Sequence, residues 1–160
     1  MRIITFVEED FTNYKLPSMF IALGYCDWKC CKEANIPITV CQNSELVKAQ
    51  DIEVPIREIF DRYINNPITK AVCIGGLEPM TVAGHVLALL DYFRTHGCDD
   101  DFVIYTGYYP SEIPAIVTQL KKYKNVVVKF GRFIPDRPKR YDDILGVTLI
   151  SDNQYTERIS

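Results

Sequence analysis

Apolar and polar positions along this chain follow two periods, and the switches between them mark where strands give way to helices. Residues 18 to 24, SMFIALG, form a continuous apolar run of the length of a buried strand. Ile56, Ile59, Phe60 and Tyr63 then recur at the spacing of one helix face, with Pro55 near the first turn. KAVCI (70 to 74) is a second short buried strand, ending in Gly75 and Gly76. A second helical face carries Val82, Val86, Leu89, Leu90 and Phe93, with Thr81 as its predicted N-cap. FVIYT (102 to 106) reads as a strand, and Ile113, Ile116, Val117 and Leu120 as a third helix capped by Ser111. VVVKF (126 to 130) and the run from Gly146 to Ile150 complete the pattern as strands.

Strand, helix and strand repeated in this way predict βαβ units, an α/β fold with a mainly parallel sheet of about five or six strands. No internal repeat, low-complexity tract or linker interrupts residues 1–160, so one domain is expected. The stretch from 131 to 144, GRFIPDRPKRYDDI, is rich in proline and charge and reads as a loop or lid. In parallel sheets ligands bind beyond the carboxyl ends of the strands. Three segments fall there and are expected to face one another: the one after residue 24, Gly75 to Pro79, and Tyr105 to Tyr109.

Charge narrows the class of partner. The net charge of −3 offers no basic field for nucleic acid or anionic membrane. Basic residues gather between Lys121 and Arg140, but interleaved acids make that stretch a solvated face. No apolar run approaches the ~20 residues of a membrane span. The opening MRIITFVEEDF is too short and acidic for a signal peptide, so the expected location is the cytoplasm. Thiols stay reduced there, which turns attention to the cysteines.

CDWKCCKEANIPITVC, residues 26 to 41, holds four of the six cysteines. Cys26 and Cys30 are four apart, so one turn of chain can aim both sulfurs at a common point. Cys41 lies beyond an insert with Ile36-Pro37-Ile38, which can loop out and bring it back. Three thiolates converging on one centre suit iron–sulfur or zinc. The spacing matches no pair of C-x2-C knuckles, and both histidines, His85 and His96, sit in the second helix, so iron–sulfur is the better match. Buried or incidental thiols are the competing explanation. Cys73, inside a strand, reads as a core residue.

EEDFTNY, MFIALGYCDWKC and CQNSEL together resemble the start of the radical S-adenosylmethionine enzymes, most closely the short activating proteins of anaerobic (class III) ribonucleotide reductase. That family holds a [4Fe–4S] cluster on a C-x3-C-x2-C pattern followed by a segment like HNPEL. Here the position three after Cys30 is Glu33, and QNSEL follows Cys41, giving C-x3-C-x10-C. The resemblance implies Cys26, Cys30 and Cys41 as ligands, with an insertion before the third. An alternative register uses Cys31 in place of Cys30.

GGLEP (75 to 79) resembles the family's GGEP with one residue inserted, although alone it reads as a tight turn before a helix. The resemblance implies that Gly75, Gly76 and Glu78 hold the methionine amino group of S-adenosylmethionine. YTGYYPSEI resembles the family's YTGY, which implies Thr106 as a contact to the nucleoside ligand. Trp28 is expected to shield the cluster, line the adenine pocket, or simply pack. KFGRFIP and SDNQYTERI echo the family's GRF and SSNQR endings, with Asn153 and Gln154 the notable polar residues.

The implied fold is a partial (βα) barrel of the radical S-adenosylmethionine type. The implied activity is a 5′-deoxyadenosyl radical that installs a glycyl radical on the large subunit of anaerobic ribonucleotide reductase, with flavodoxin or ferredoxin as electron donor. A radical enzyme acting on another peptide or small molecule, and a non-catalytic iron–sulfur module, remain as alternatives.

Overall fold

A computed structural model describes residues 1–160. In chain order the elements are β1 (Arg2–Ile3), β2 (Thr5–Asp10), β3 (Ser18–Leu23), α1 (Lys29–Ala34), β4 (Ile52–Glu53), α2 (Ile56–Asn65), β5 (Ala71–Gly76), α3 (Ala83–Thr95), β6 (Asp101–Tyr105), α4 (Pro114–Leu120), β7 (Val126–Phe130), β8 (Arg140–Asp142), β9 (Val147–Leu149) and β10 (Tyr155–Arg158). Single 3₁₀ turns fill Ile38–Val40, Ser44–Lys48, Pro79–Val82 and Pro110–Glu112. No helix is long and apolar enough to cross a membrane.

The main sheet is six-stranded, in the order β10-β7-β6-β5-β3-β2. Its four central strands are parallel, and both edge strands are antiparallel. The sheet is therefore mixed, with the parallel centre that was expected and two antiparallel edges that were not, and no partial barrel is seen. The reason lies in the connections. The short segment from Phe11 to Pro17 suffices for the antiparallel turn from β2 to β3, whereas a parallel neighbour needs a long crossover. At the other edge, β10 returns from the β8–β9 hairpin with no helix to carry it across.

The expected final strand within the sheet is also corrected. Val147–Leu149 pairs only with Arg140–Asp142, in a separate two-stranded ribbon. Gly146, at φ 73°, turns the chain there, with its N–H on the Asp142 carbonyl at 2.7 Å. Only β8 of this ribbon lies within the stretch expected to be a loop, residues 131 to 144. Two caps differ as well. Thr81 and Ser111 sit in 3₁₀ turns, and the helices behind them begin at Ala83 and Pro114. Glu78 caps the first of these turns through Met80 N–H at 3.0 Å.

From β3 through β7 the strand order advances one way across the sheet, and right-handed crossovers then put α2, α3 and α4 on the same face. Alternation along the strands divides the side chains accordingly. Met19, Ile21, Leu23, Val72, Ile74, Phe102, Ile104, Val126, Val128 and Phe130 join the residues of α2, α3 and α4 in a cluster of 22 buried residues. Their alternates, including Ala71, Cys73, Val103 and Val127, face the other way into a cluster of 7, covered by Tyr14, Leu145 and Leu149. α2, α3 and α4 leave that second face free, and the site lies at its strand ends.

Candidate functional site

Beyond the small cluster, the second face opens into a cavity of about 340 Å³ at the carboxyl ends of β3, β5, β6 and β7. Phe20, Ala22, Gly75, Tyr105 and Lys129 reach it by the same alternation that points Cys73 and Val127 at the core beneath. The segment after β3 brings Cys26, Trp28, Cys30 and Cys41 to it, and the turns after β5 and β6 bring Gly76, Thr106 and Gly107. The three expected strand-end segments therefore do meet. A wider groove of about 730 Å³ between β2 and α2 is lined mainly by charged side chains and holds none of the thiols.

The cysteine segment is more ordered than a loop. Trp28, at φ 59°, enters α1 in a left-handed conformation that bulky side chains rarely adopt, and Asn35 leaves it at φ 52°. Successive helical positions point about 100° apart, which separates the adjacent cysteines. Cys30 lines the cavity, while Cys31 is buried on the other side of α1 near Lys32, Asn35 and Ile36. Their sulfurs remain 3.9 Å apart. Two 3₁₀ turns fold the insert so that Cys41, between them, returns to the cavity while Ile38 and Val40 stay exposed.

All six cysteines are free thiols. Burial pushes Cys26 up to about 12 and Cys30 to about 11, and raises Cys41 as well, each partly offset by backbone N–H donors. The N–H of Trp28 reaches Cys26 Sγ at 3.2 Å. Thiols in this state ionise when a metal supplies the missing positive charge. No three Cys, His, Asp or Glu side chains close tightly enough for a single metal ion. A four-iron cube is larger than an ion and needs its thiolates further apart, around a space. Three soft donors on one partly enclosed cavity fit such a cluster in donor type and placement.

At the glycine turn, Gly76 has φ 87°, and a Cβ there would lie 2.8 Å from the Leu23 backbone nitrogen. Only glycine meets both conditions without strain. Its carbonyl accepts from Asn43 Nδ2 at 2.7 Å, tying the segment after Cys41 to the end of β5. Glu78 lies outside the cavity lining. Its carboxylate accepts from Met80 N–H (3.0 Å), Thr106 Oγ1 (2.6 Å) and Gly107 N–H (2.8 Å), bracing the ends of β5 and β6. Burial raises its pKa against the pull of those donors. Thr106 spends its hydroxyl proton on Glu78 and accepts from Tyr108 N–H at 3.1 Å, so it is held rigidly at the cavity edge.

Three contributors were not apparent as site residues in the sequence. Lys129 sits on β7 with its ammonium at the cavity, and desolvation lowers its pKa to about 8. Alternation in VVVKF was the available signal, because it sets Lys129 on the face of Val127. Asn43 had only its place beside Cys41. Arg132, whose side chain is 7% exposed, forks onto Glu112 at 2.8 and 2.5 Å and reaches Glu33 of α1 at 3.0 Å. Lys29 also contacts Glu112. This network holds α1 against the strand ends, and no local pattern announces it. Of the two polar residues noted near the C-terminus, Gln154 lines the cavity, and Asn153 donates to the Arg132 carbonyl at 2.8 Å.

The model of the 4Fe-4S single cluster domain family matches residues 18–154, a span that includes the cysteine segment and every strand from β3 to β9. The chain belongs to that family. No curated protein and no solved structure matches it.

Proposed function

We propose that the chain is a radical S-adenosylmethionine enzyme that installs a glycyl radical on the large subunit of an anaerobic ribonucleotide reductase. One observation supports this above the others: three free thiols and a glycine turn share one strand-end cavity. In this reading the open sheet is a partial (βα) barrel and the cavity face is its interior. Cys26, Cys30 and Cys41 hold the cluster, and S-adenosylmethionine occupies the rest of the cavity. Together, when bound, they supply a one-electron reductant and a carbon radical able to remove a hydrogen atom.

The chain's residues bind and orient. Backbone carbonyls at Gly75 and Gly76 accept from the ligand's ammonium, and Asn43 keeps the Gly76 carbonyl aimed while leaving it a second lone pair. Glu78 acts from behind, fixing the geometry of both strand ends and adding negative potential toward the ammonium. Trp28, at the cavity wall, excludes water from the thiols.

Anaerobic reconstitution with iron and sulfide, followed by reduction in the presence of S-adenosylmethionine, tests the chemistry. Release of 5′-deoxyadenosine is expected, and a loaded cluster that releases none would overturn the reading. Addition of the reductase subunit is then expected to give a glycyl radical signal by electron paramagnetic resonance. Product release without that signal would assign the radical chemistry to another substrate.

A further inference from the structure

β2 is the outermost strand on one side of the sheet and pairs only with β3, so the backbone groups along its other edge, from Thr5 to Asp10, have no strand partner. Its side chains divide between two environments. Thr5 and Val7 line the strand-end cavity, and Val7 is 46% exposed. Phe6 packs toward the helices, with the Arg62 guanidinium over its ring at 4.9 Å. A register shift between Val7 and Asp10 places Glu8 and Glu9 together in the groove between β2 and α2. That groove carries Glu8, Glu9, Glu58 and Asp61 against Arg57 and Arg62. Arg62 is taken up by Glu8 and Glu58 at 3.0 and 2.8 Å, and Arg57 stands 3.5 Å from Asp61. Glu9 meets only the neutral Asn66 amide, at 3.2 Å. The edge is therefore acidic on its helix side and uncharged on its cavity side. Such an edge can still pair, and its charge selects the partner.

We propose that the free edge of β2 receives an extended, basic polypeptide segment of a partner protein as an added strand. Main-chain hydrogen bonds to the edge supply affinity, and alternation supplies specificity. Residues of the segment in phase with Thr5 and Val7 face the cavity. Those between them face the acidic groove, where lysine or arginine completes Glu9. A second copy of this chain is a poor occupant, because it would bring two acidic grooves together. Thr5 pairs with Ala22, itself beside Gly75, so the added strand meets the cavity at its glycine end. The edge and its charge stand apart from the radical reading. That the segment is the glycine-bearing one of the reductase subunit rests on it, and cations then fall at odd-numbered steps from that glycine.

The test is hydrogen exchange read by mass spectrometry on the reconstituted protein, with two synthetic peptides and, separately, with the reductase subunit. One peptide alternates lysine with valine, the other glutamate with valine. The lysine peptide is expected to slow exchange at residues 5 to 10 at least fivefold. It should also bind at least tenfold more tightly than the glutamate peptide, a margin that shrinks as salt is raised. The subunit should slow the same residues. Glu8→Gln with Glu9→Gln should weaken the lysine peptide at least threefold, and Val7→Lys should remove the protection. Should a variant fail to fold, the peptide pair on the wild type decides alone. Protection of residues 5 to 10 by the lysine peptide, with no release of 5′-deoxyadenosine, supports the docking edge and removes the radical reading instead. Release of 5′-deoxyadenosine with equal binding of both peptides, or with no protection at residues 5 to 10, overturns the docking edge and leaves the radical reading intact. Doubled mass with those residues protected before any peptide is added also overturns it, in favour of a second copy.

Discussion

On the helix-covered face of the sheet, 22 buried residues from strands and helices close into one cluster. On the opposite face only 7 do so, and toward the strand ends they give way to thiols, amides, glycines and one ammonium. A large apolar side chain contributes roughly 1.5–3 kcal/mol when fully buried. Most of the folding free energy therefore comes from the first face. The second tolerates buried charge and open space because it is not needed to hold the sheet together. Stability and chemistry are thereby placed on opposite sides of the same strands, and the residues that alternate along a single strand serve different ends.

The sharpest way to break this division is Phe93→Ala. Phe93 is fully buried and packs edge-on against Phe60 and Phe102. Its truncation should cost about 3–5 kcal/mol, read from urea unfolding, and take iron binding with it. Gly76→Ala comes next, at about 2 kcal/mol or more, because it combines a left-handed φ with a contact on the Leu23 backbone. It should also perturb the cavity, whereas Phe93→Ala acts only through unfolding.

Alkaline pH tests the second face as a whole. Burial raises the Cys73 thiol to about 12, so between pH 9 and 12 the folded chain holds a proton that the unfolded chain has lost. Stability falls as pH rises through that window, by roughly 1.4 kcal/mol per unit at most from this group. Cys26 and Cys30 act in the same direction. Lys129 has the opposite sign, since its folded pKa near 8 lies below that of a free lysine, and it offsets one thiol. The cluster-free chain should therefore have a lower urea midpoint at pH 10 than at pH 8.

Two smaller effects sharpen the comparison at the site itself. Cys26→Ala, Cys30→Ala and Cys41→Ala should each change the stability of the cluster-free chain by less than about 1 kcal/mol yet abolish iron retention. Cys31→Ala should keep the iron, and iron analysis after anaerobic gel filtration distinguishes the two registers. Arg132→Lys loses the forked contact to Glu112 for about 1 kcal/mol. It should also loosen α1, seen as faster amide exchange from Lys29 to Ala34. The Glu112 carboxyl, held well below the usual range mainly by Arg132, should titrate closer to normal in that variant.

The central strands and three principal helices were legible because each combines a clear period with a long apolar face. Ile59, Tyr63, Leu89, Leu90 and Leu120 are buried where the spacing placed them. β2 was not legible, since TFVEED is exposed along most of an edge and shows no apolar stripe. β10 was obscured for a similar reason: YTER joins the sheet through backbone pairing with β7, and most of its side chains stay outside the core. At the site, the crowding of Cys26, Cys30 and Cys41 and the glycines after β5 were visible locally. The committed state of Glu78, the Arg132 fork and the lone ammonium of Lys129 depend on residues far away in the chain.

By itself, then, the order of residues determined which central segments become strand or helix, the succession of βαβ units, and the crowding of cysteines after β3. These depend on neighbours within a few turns, where periodicity and backbone sterics act. Tertiary structure alone decided that the edges run antiparallel, that Cys30 and not Cys31 reaches the cavity, and that Lys129 lies buried near Glu78 without a direct ion pair. Each of those outcomes turns on distances between groups well separated in the chain, and desolvation and charge compensation are set only once those distances exist.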